Sequence, residues 1–421
     1  METESQEFST EPVPEHQTVP WVRVGLISAL VAFSLPTFLS GIEIMEVTEN
    51  KDAMIGFVVG GFILAIVGSI MGAIGARTRL SSYMLTRIAF GTTGAAFVNL
   101  ALAIALLGWF GVNIDLFGSA ILQAAEQMFG YSLKPWVVEI FAGLVMTLTT
   151  VYGFQAINKL SLLFVPILMV VTGLLLAKAL GEASFSQILQ TNKVATMSFG
   201  TAVSTVVGTV IIGAIIMPDI TRFMREWKGA IYTSILAYLV VGPIVMGVAG
   251  FAAEALETHD LLGIMIAVGL GWAAFAIVIF GSWVLNTLNL YSTTLSVEAT
   301  FTQIKGAIVV IPLGVLGTVA AFFNILDSFT TFLTVLTIIF VPVAGVIAVD
   351  YLLARRDAYH DELEAKMRRL SVTALIAWVA GAVVSVLSSF YSLTITSMSA
   401  LDAMLVSAFL YGLLNRLGAK D

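Results

Sequence analysis

Two carboxyl groups lie inside long apolar stretches of this chain, where a charged side chain is costly. Glu43 follows a run of apolar residues near the N-terminus, and Asp115 lies in a later apolar stretch. A carboxyl group in such a setting can carry a proton or pair with a cationic group of a substrate. For Glu43 the alternative is that it marks, together with Glu46, the outer end of a helix. Both acids are therefore candidate coupling or substrate groups.

Helix-breaking residues occur near the middle of two apolar stretches. The first stretch, VGLISALVAFSLPTFLSGIEIMEV, contains Pro36 and Gly41, and the sixth, FGTAVSTVVGTVIIGAIIMP, contains Gly208 and Gly213. A break inside a membrane helix exposes backbone polar groups, so it is tolerated where it lines a site or a cavity. Gly and Pro are also common in unbroken membrane helices. The pattern favours two broken helices with a binding site between them.

The remaining reactive residue types argue against several classes of function. The chain has no cysteine, which excludes disulfides and thiolate metal sites, and His16, His259 and His360 lie outside the apolar stretches. It contains no metal-ligand spacing, nucleophile motif or nucleotide-binding loop. The net charge of −7 and the lack of a basic patch give no indication of nucleic-acid binding. We therefore expect neither an enzyme nor a primary pump, and no cofactor.

The elements that must position these residues are membrane helices. The chain is 58% hydrophobic and 11% charged, whereas soluble domains carry about 25% charged residues. Apolar stretches of about 20 residues cross a bilayer as helices. Twelve spans are predicted, at residues 23–46, 53–76, 93–125, 135–155, 159–180, 197–218, 230–255, 262–296, 306–325, 329–353, 370–391 and 397–416.

The distribution of basic residues supports this number of spans and indicates their orientation. With the N-terminus in the cytoplasm, sixteen of the 20 Lys and Arg residues fall in cytoplasmic loops and four in outer loops. Cytoplasmic loops of membrane proteins carry an excess of Lys and Arg. We therefore predict a multi-pass protein of the bacterial inner membrane with both termini in the cytoplasm, and we expect a monomer.

No linker is long enough to separate independent domains, so the spans themselves divide the chain. Residues 1–22 are polar and lack the features of a signal peptide, which predicts a disordered cytoplasmic tail. Residues 23–180 and 194–353 are predicted to form two halves of five spans each. A polar cytoplasmic connection over 354–369 leads to two further helices and a short tail over 370–421.

Several short segments occur in the order found in a known transporter family. They are GARTRL (Gly75 to Leu80), TRIAFG (Thr86 to Gly91), GWFGV (Gly108 to Val112), PDITRFMR (Pro218 to Arg225) and PVAGVIAVDYLLARR (Pro342 to Arg356). The chain thereby resembles the nucleobase:cation symporter-1 family, and in particular its bacterial cytosine permease branch. The resemblance implies an all-α membrane protein with the leucine-transporter fold, which has two inverted five-helix repeats plus two peripheral helices.

The resemblance also implies a substrate site formed by spans 1, 3, 6 and 8. Trp109 corresponds to a tryptophan that stacks on the planar substrate, a role for which its flat π face is suited. Asn113 lies one turn later on the same face, where it can hydrogen-bond the substrate or hold helices together. Asn286 corresponds to a substrate-binding asparagine, whose amide both donates and accepts. The other implied pocket residues are Phe33 in span 1, Thr209 and Val210 in span 6, and Asn289 in span 8.

Three positions depart from the cytosine permease pattern and predict a more apolar pocket. Leu106 stands in place of a glutamine, Val210 in place of an aromatic residue, and Ile212 in place of a serine. The pocket then offers one stacking ring instead of two. This argues against cytosine itself and leaves a small planar heterocycle or a compact polar metabolite as the expected substrate.

The residues at the family's sodium site leave the coupling ion open between Na⁺ and H⁺. The resemblance implies that Ala29 and Ala32 of span 1 contribute backbone carbonyls and that span 8 contributes further oxygens. Span 8 has Val284 and Leu285 at these positions, with Ser282 as the hydroxyl close by. Because a hard cation requires several oxygen ligands, we predict weak dependence on Na⁺, with transport either proton-driven or facilitative.

The leading interpretation is a secondary transporter that imports a nucleobase or a related small planar heterocycle by alternating access. The alternative is a transporter of an amino-acid-like or amine-bearing metabolite, in which an intramembrane acid such as Glu43 binds the amine. The expected partners are the small-molecule substrate and the lipid bilayer.

Overall fold

The computed structural model is helical along most of the residues it describes, which are 11–191, 193–259, 263–264, 269, 277–301, 303–304, 306–323, 325–359 and 368–417. The start of predicted span 8 and residues 360–367 of the predicted connection lie outside this part. In chain order the α-helices are α1 (Trp21–Ala32), α2 (Leu35–Val47), α3 (Asn50–Thr78), α4 (Ser82–Phe129), α5 (Pro135–Thr150), α6 (Gly153–Glu182), α7 (Phe185–Gln190), α8 (Phe199–Ile215), α9 (Pro218–Thr221), α10 (Trp227–Ser234), α11 (Gly242–Leu256), α12 (Ser282–Thr300), α13 (Ala307–Ala320), α14 (Phe329–Val349), α15 (Val372–Tyr391) and α16 (Ser399–Arg416). Wider π-helical turns occupy Ile235–Val241, Ile277–Gly281 and Asp350–Ala354.

Helices lie at all twelve predicted positions. Span 1 corresponds to α1 and α2, and span 7 to α10, α11 and the π-helical turn between them. Within the described residues, seven helices are long and apolar enough to cross a membrane, or eight if the bent pair α1–α2 is one span. The other predicted spans fall on α5, α12, α13 and α16.

The predicted break in span 1 is confirmed. α1 ends at Ala32, α2 begins at Leu35, and the two helices are bent by 47°. Between them Ser34 has an extended backbone, with φ −75° and ψ 154°. Pro36 lies in the first turn of α2, where proline is tolerated because the backbone N–H has no partner within the helix. The chain is therefore interrupted inside the membrane, next to the core of the protein.

The break in span 6 lies further along the chain than the sequence predicted. α8 runs without interruption through Gly208 and Gly213 to Ile215, and the chain turns only then into the short α9. The expectation of a break at these glycines is wrong. Gly208 serves close packing instead, because a Cβ at this position would lie 2.6 Å from the carbonyl oxygen of Leu333 in α14.

The helices pack into two groups on either side of the α1–α2 break. α3 packs along α8 and α10, and α2 packs along α11, so that spans 1, 2, 6 and 7 form a bundle. α4, α5, α12 and α13 pack against one another as a second group, and α14 joins α8 to α15 and α16.

The N-terminal segment packs against the end of α3 and the chain that follows α9, in contrast to the disordered tail expected over residues 1–22. Val13 is buried, and its N–H donates to the carbonyl of Arg79 at 3.0 Å. Val19 forms a β-bridge with Met224. Buried apolar side chains and backbone pairing thus order this segment from Val13 onward, despite its polar composition. Residues 1–10 lie outside the described part of the chain.

A buried carboxylate ties the last helix, α16, to the core. Asp350 accepts hydrogen bonds from Arg355 at 2.8 and 3.0 Å, from Tyr359 at 2.5 Å and from Tyr411 of α16 at 2.6 Å. Arg355 also donates to the carbonyl of Ile88 in α4 at 2.6 Å. Burial and the adjacent Asp350 carboxylate raise the pKa of Tyr359 well above its usual value, so this phenol remains a donor at neutral pH.

Candidate substrate site

A central cavity lies at the α1–α2 break, between the two groups of helices. It contains about 690 Å³ of empty space, its opening included. Its walls come from spans 1, 3, 6, 7 and 8, and no charged side chain lines it among the described residues. The lining residues are Ser28, Val31, Ser34, Pro36, Thr37, Trp109, Thr209, Val210, Ile212, Gly213, Ile216, Ile220, Tyr238, Leu285, Leu288 and Asn289.

Trp109 of α4 is the aromatic group predicted to stack on a substrate, and it lines the cavity. Its ring packs edge to face against Phe329, with centroids 5.9 Å apart, and against Phe332, with centroids 5.3 Å apart. Both phenylalanines belong to α14, so this helix fixes the orientation of the indole. The side chain is 6% exposed, which leaves it available mainly to a ligand inside the cavity.

The two predicted residues of span 6, Thr209 and Val210, both line the cavity. The Thr209 hydroxyl donates to the carbonyl of Thr205 at 3.0 Å and lies 3.1 Å from the hydroxyl of Ser40 in α2. Its proton is therefore already used in a hydrogen bond within the protein, so toward a ligand the hydroxyl oxygen can only accept. Val210 and the neighbouring Ile212 make this wall largely apolar.

The two asparagines of α12 have different positions relative to the cavity. Asn289 lines it, whereas Asn286 is fully buried and does not. The Asn286 amide donates to the carbonyl of Phe110 at 2.9 Å and to the sulfur of Met146 at 3.3 Å, and its oxygen accepts from Asn289 at 3.4 Å. Asn286 thus joins α12 to α4 and α5 and accepts a hydrogen bond from the cavity-lining Asn289.

Phe33 and Asn113 lie next to the cavity without lining it. Phe33 occupies the break itself and is buried; its carbonyl oxygen would lie 2.9 Å from a Cβ at Gly281. Asn113 is fully buried and donates to the carbonyl of Trp109 at 2.7 Å. Its amide oxygen has no partner within the described part of the chain.

The predicted coupling positions offer few oxygens. Ala29 and Ala32 are buried in the second half of α1, and the fully buried hydroxyl of Ser282 has no hydrogen-bond partner among the described residues. Val284 is fully buried and apolar, and Leu285 turns toward the substrate cavity. This part of the protein supplies one side-chain oxygen and backbone carbonyls, which is a poor ligand set for a hard cation.

The two intramembrane acids lie away from the central cavity. Glu43 lines a separate vestibule together with Glu46 and Phe329. Because Phe329 also packs on Trp109, it stands between this vestibule and the cavity. Asp115 interacts electrostatically with Glu139 of α5, within the second helix group.

Polar contacts join the two helix groups at the end of the protein opposite the vestibule. The fully buried carboxylate of Asp219 accepts from the Ser82 N–H at 2.9 Å, from the Ser82 hydroxyl at 2.7 Å and from the Ser292 hydroxyl at 2.9 Å. Arg222 donates to the Tyr291 hydroxyl at 2.9 Å. Asp219 and Arg222 follow α8 in the bundle, whereas Ser292 and Tyr291 belong to α12 in the other group.

Sequence reasoning missed four polar residues of the cavity, which are Ser28, Ser34, Thr37 and Tyr238. Tyr238 lies in the π-helical turn of span 7 and lines the cavity, although span 7 was not expected to contribute to the site. A tyrosine in the middle of an apolar span was the available signal, because a buried phenol usually requires a polar partner.

Comparison with known proteins identifies the family. A family model described as permease for cytosine/purines, uracil, thiamine, allantoin matches residues 12–412. The chain belongs to this family. The cytosine permease of Escherichia coli O157:H7 is 28% identical over 379 residues, which cover 90% of this chain and 87% of the relative. The predicted membership of the nucleobase:cation symporter-1 family, cytosine permease branch, is confirmed.

Solved structures support the predicted fold class. Mhp1, a nucleobase-cation-symport-1 family transporter in a closed conformation with bromovinylhydantoin bound, superposes with a TM-score of 0.83 at 20% identity, over 98% of this chain and 96% of that chain. A Na⁺-coupled sialic acid symporter in a substrate-bound outward-open state has a TM-score of 0.71 at 12% identity, over 95% and 90%. The permease thus has the leucine-transporter-type fold and is a multi-pass, nucleobase-type secondary transporter.

Proposed function

We propose that this permease imports a neutral, planar, nucleobase-like heterocycle that binds in the central cavity with one face against Trp109. The observation that carries the proposal is the composition of the cavity wall. It combines one fixed indole with neutral hydrogen-bonding groups, of which Thr37, Thr209 and Asn289 are examples. A flat heterocycle with a polar edge matches these groups, since its face is apolar and its edge donates and accepts hydrogen bonds.

The neutral wall also argues against a charged substrate. Bringing an ion into a membrane-embedded cavity is costly unless an opposite charge compensates it. The acid that could bind an amine, Glu43, lies in the vestibule beyond Phe329. Within the described part of the chain, the cavity therefore offers no carboxylate to the ammonium group of an amine-bearing substrate.

The proposed alternating access uses two contacts between the helix groups, one on each side of the cavity. On the vestibule side, Phe329 and Phe332 of α14 cover Trp109. On the cytoplasmic side, Asp219 binds Ser82 and Ser292. Rocking of the bundle would open one of these closures while the other stays shut, which carries the substrate from the vestibule to the cytoplasm.

Coupling is proposed to depend weakly on Na⁺. Among the side chains at the predicted ion position, Ser282 has a hydroxyl, whereas Val284 and Leu285 cannot ligate a cation. The remaining choices are a proton gradient and facilitated exchange. The basic-residue distribution supports an inner-membrane location with both termini in the cytoplasm, and we propose that the protein functions as a monomer.

The experiment is a thermal-shift screen of the purified protein against nucleobases, amino acids and polyamines. We expect a neutral nucleobase to raise the melting temperature in a concentration-dependent way, because a ligand that binds only the native state stabilises it. Stabilisation by amino acids or polyamines alone would contradict the proposal.

A further inference from the structure

The π-helical turn of span 7 brings a tyrosine to the central cavity. The turn comprises Ile235–Val241 and has Ala237 and Tyr238 as its buried residues. Such turns are rare in helices and occur frequently at functional sites, because the extra residue re-aims the side chains around it. Tyr238 lines the cavity together with Trp109 and Asn289.

Gly68 makes room for the Tyr238 ring, and Gly213 lies next to the Tyr238 hydroxyl. A Cβ at Gly68 of α3 would lie 2.6 Å from the Cε2 atom of the ring, so a larger residue there would displace the ring. A Cβ at Gly213 of α8 would lie 3.5 Å from the phenol oxygen, and Gly213 itself lines the cavity. The ring thus extends between α3 and α8, with its hydroxyl at the cavity wall.

The hydroxyl of Tyr238 makes no hydrogen bond to the described residues. The side chain is only 6% exposed and lies inside a membrane-spanning helix. A hydroxyl without a partner in such surroundings is costly. Because it faces the cavity, its partner can be a water molecule when the cavity is empty and a ligand when it is filled.

We propose that Tyr238 determines substrate specificity by hydrogen bonding to the polar edge of the bound heterocycle. The phenol can donate to a carbonyl oxygen or a ring nitrogen and can accept from an N–H. It supplies a polar contact beside Val210 and Ile212, which make the neighbouring wall of α8 apolar. This inference rests on the proposed function, since it requires a heterocycle in this cavity.

The test compares wild type with Tyr238→Phe, which removes only the hydroxyl. Affinities for uracil, cytosine, hypoxanthine and unsubstituted purine are measured by calorimetric titration of the purified protein. Purine lacks the carbonyl of hypoxanthine, so the pair isolates one polar edge. We expect the variant to bind the preferred base about three- to tenfold more weakly, as for a lost neutral hydrogen bond. The matched control is Tyr232→Phe, which lies on the same span but is 52% exposed.

The ratio of affinities between the bases separates specificity from a structural role. If Tyr238 determines specificity, the ratio of affinities in Tyr238→Phe differs from the wild-type ratio, whereas the ratio in Tyr232→Phe equals it. Equal affinities for every base in Tyr238→Phe and wild type, or equal losses for all bases, would overturn the inference and leave the proposed function intact. Failure of the wild type to bind any of the four bases would overturn both.

Discussion

Replacing Asn289 by leucine is expected to weaken substrate binding strongly without unfolding the protein. Asn289 lines the cavity, and its side chain makes one long hydrogen bond to the described residues, 3.4 Å to Asn286. The protein itself therefore loses little in Asn289→Leu. The bound substrate, however, loses its hydrogen-bonding partner, and a buried polar group of the substrate that is left unpaired costs about 1–3 kcal/mol of binding free energy. Since about 1.4 kcal/mol corresponds to a factor of ten, affinity should fall roughly five- to 150-fold.

The matched variant Asn286→Leu should behave differently, because the Asn286 side chain makes its hydrogen bonds within the protein and does not line the cavity. It loses the bonds to the carbonyl of Phe110 and to the sulfur of Met146 at a fully buried position. We expect a lower melting temperature, from a loss of about 1 kcal/mol or more of folding free energy. The assay for both variants is the ligand-free melting temperature together with calorimetric affinity for the same nucleobase.

The reverse outcome would refute this reasoning. If Asn286→Leu lost binding at an unchanged melting temperature while Asn289→Leu bound normally, Asn286 would be the substrate contact. α12 would then have to be rotated relative to the cavity by roughly the 60° that separates positions i and i+3 on a helix.

Three further predictions concern the stacking platform, the coupling ion and the helix packing. Trp109→Ala should weaken nucleobase binding severalfold or more, since aromatic stacking contributes about 0.5–1.5 kcal/mol beyond area burial; unchanged affinity would exclude Trp109 as the platform. Affinity measured in matched Na⁺ and choline buffers should differ by less than about threefold, and a gain above about tenfold in Na⁺ would mean that Ser282 belongs to a complete cation site. Gly41→Val should lower the ligand-free melting temperature, because a Cβ at this position would collide with the backbone of Met246 in α11; a normal melting temperature would contradict the close approach of α2 and α11.

The parts of the fold that depend on apolar length were predictable from the sequence. Runs of about 20 apolar residues indicate membrane helices regardless of context, whereas the orientation inferred from Lys and Arg stays a prediction. The break before Pro36 was also predictable, because proline lacks a backbone donor and fits best in the first turn of a helix, although Pro166, Pro312 and Pro342 lie inside helices. The break expected at Gly208 was a wrong prediction, because a glycine can serve close helix packing as well as break a helix. At this position only the neighbouring carbonyl of Leu333 distinguishes the two roles.

The candidate site was predictable in part. Trp109, Thr209 and Val210 line the cavity as the family pattern implied. Asn286 and Asn289 share a helical face, so the sequence could not decide which of them reaches the cavity; that depends on a rotation of α12 by a fraction of a turn. Tyr238 was not predicted, because a π-helical turn depends on packing between helices and leaves no pattern in the sequence.

Solute counterflow in proteoliposomes tests the central claim most directly. Vesicles containing the purified permease are loaded with an unlabelled nucleobase and diluted into trace amounts of the same base in labelled form. The account predicts that labelled base transiently accumulates above its equilibrium level, and that Asn289→Leu greatly reduces this accumulation. If no nucleobase gave counterflow while a preloaded amino acid or polyamine did, the neutral-heterocycle site in the central cavity would be contradicted.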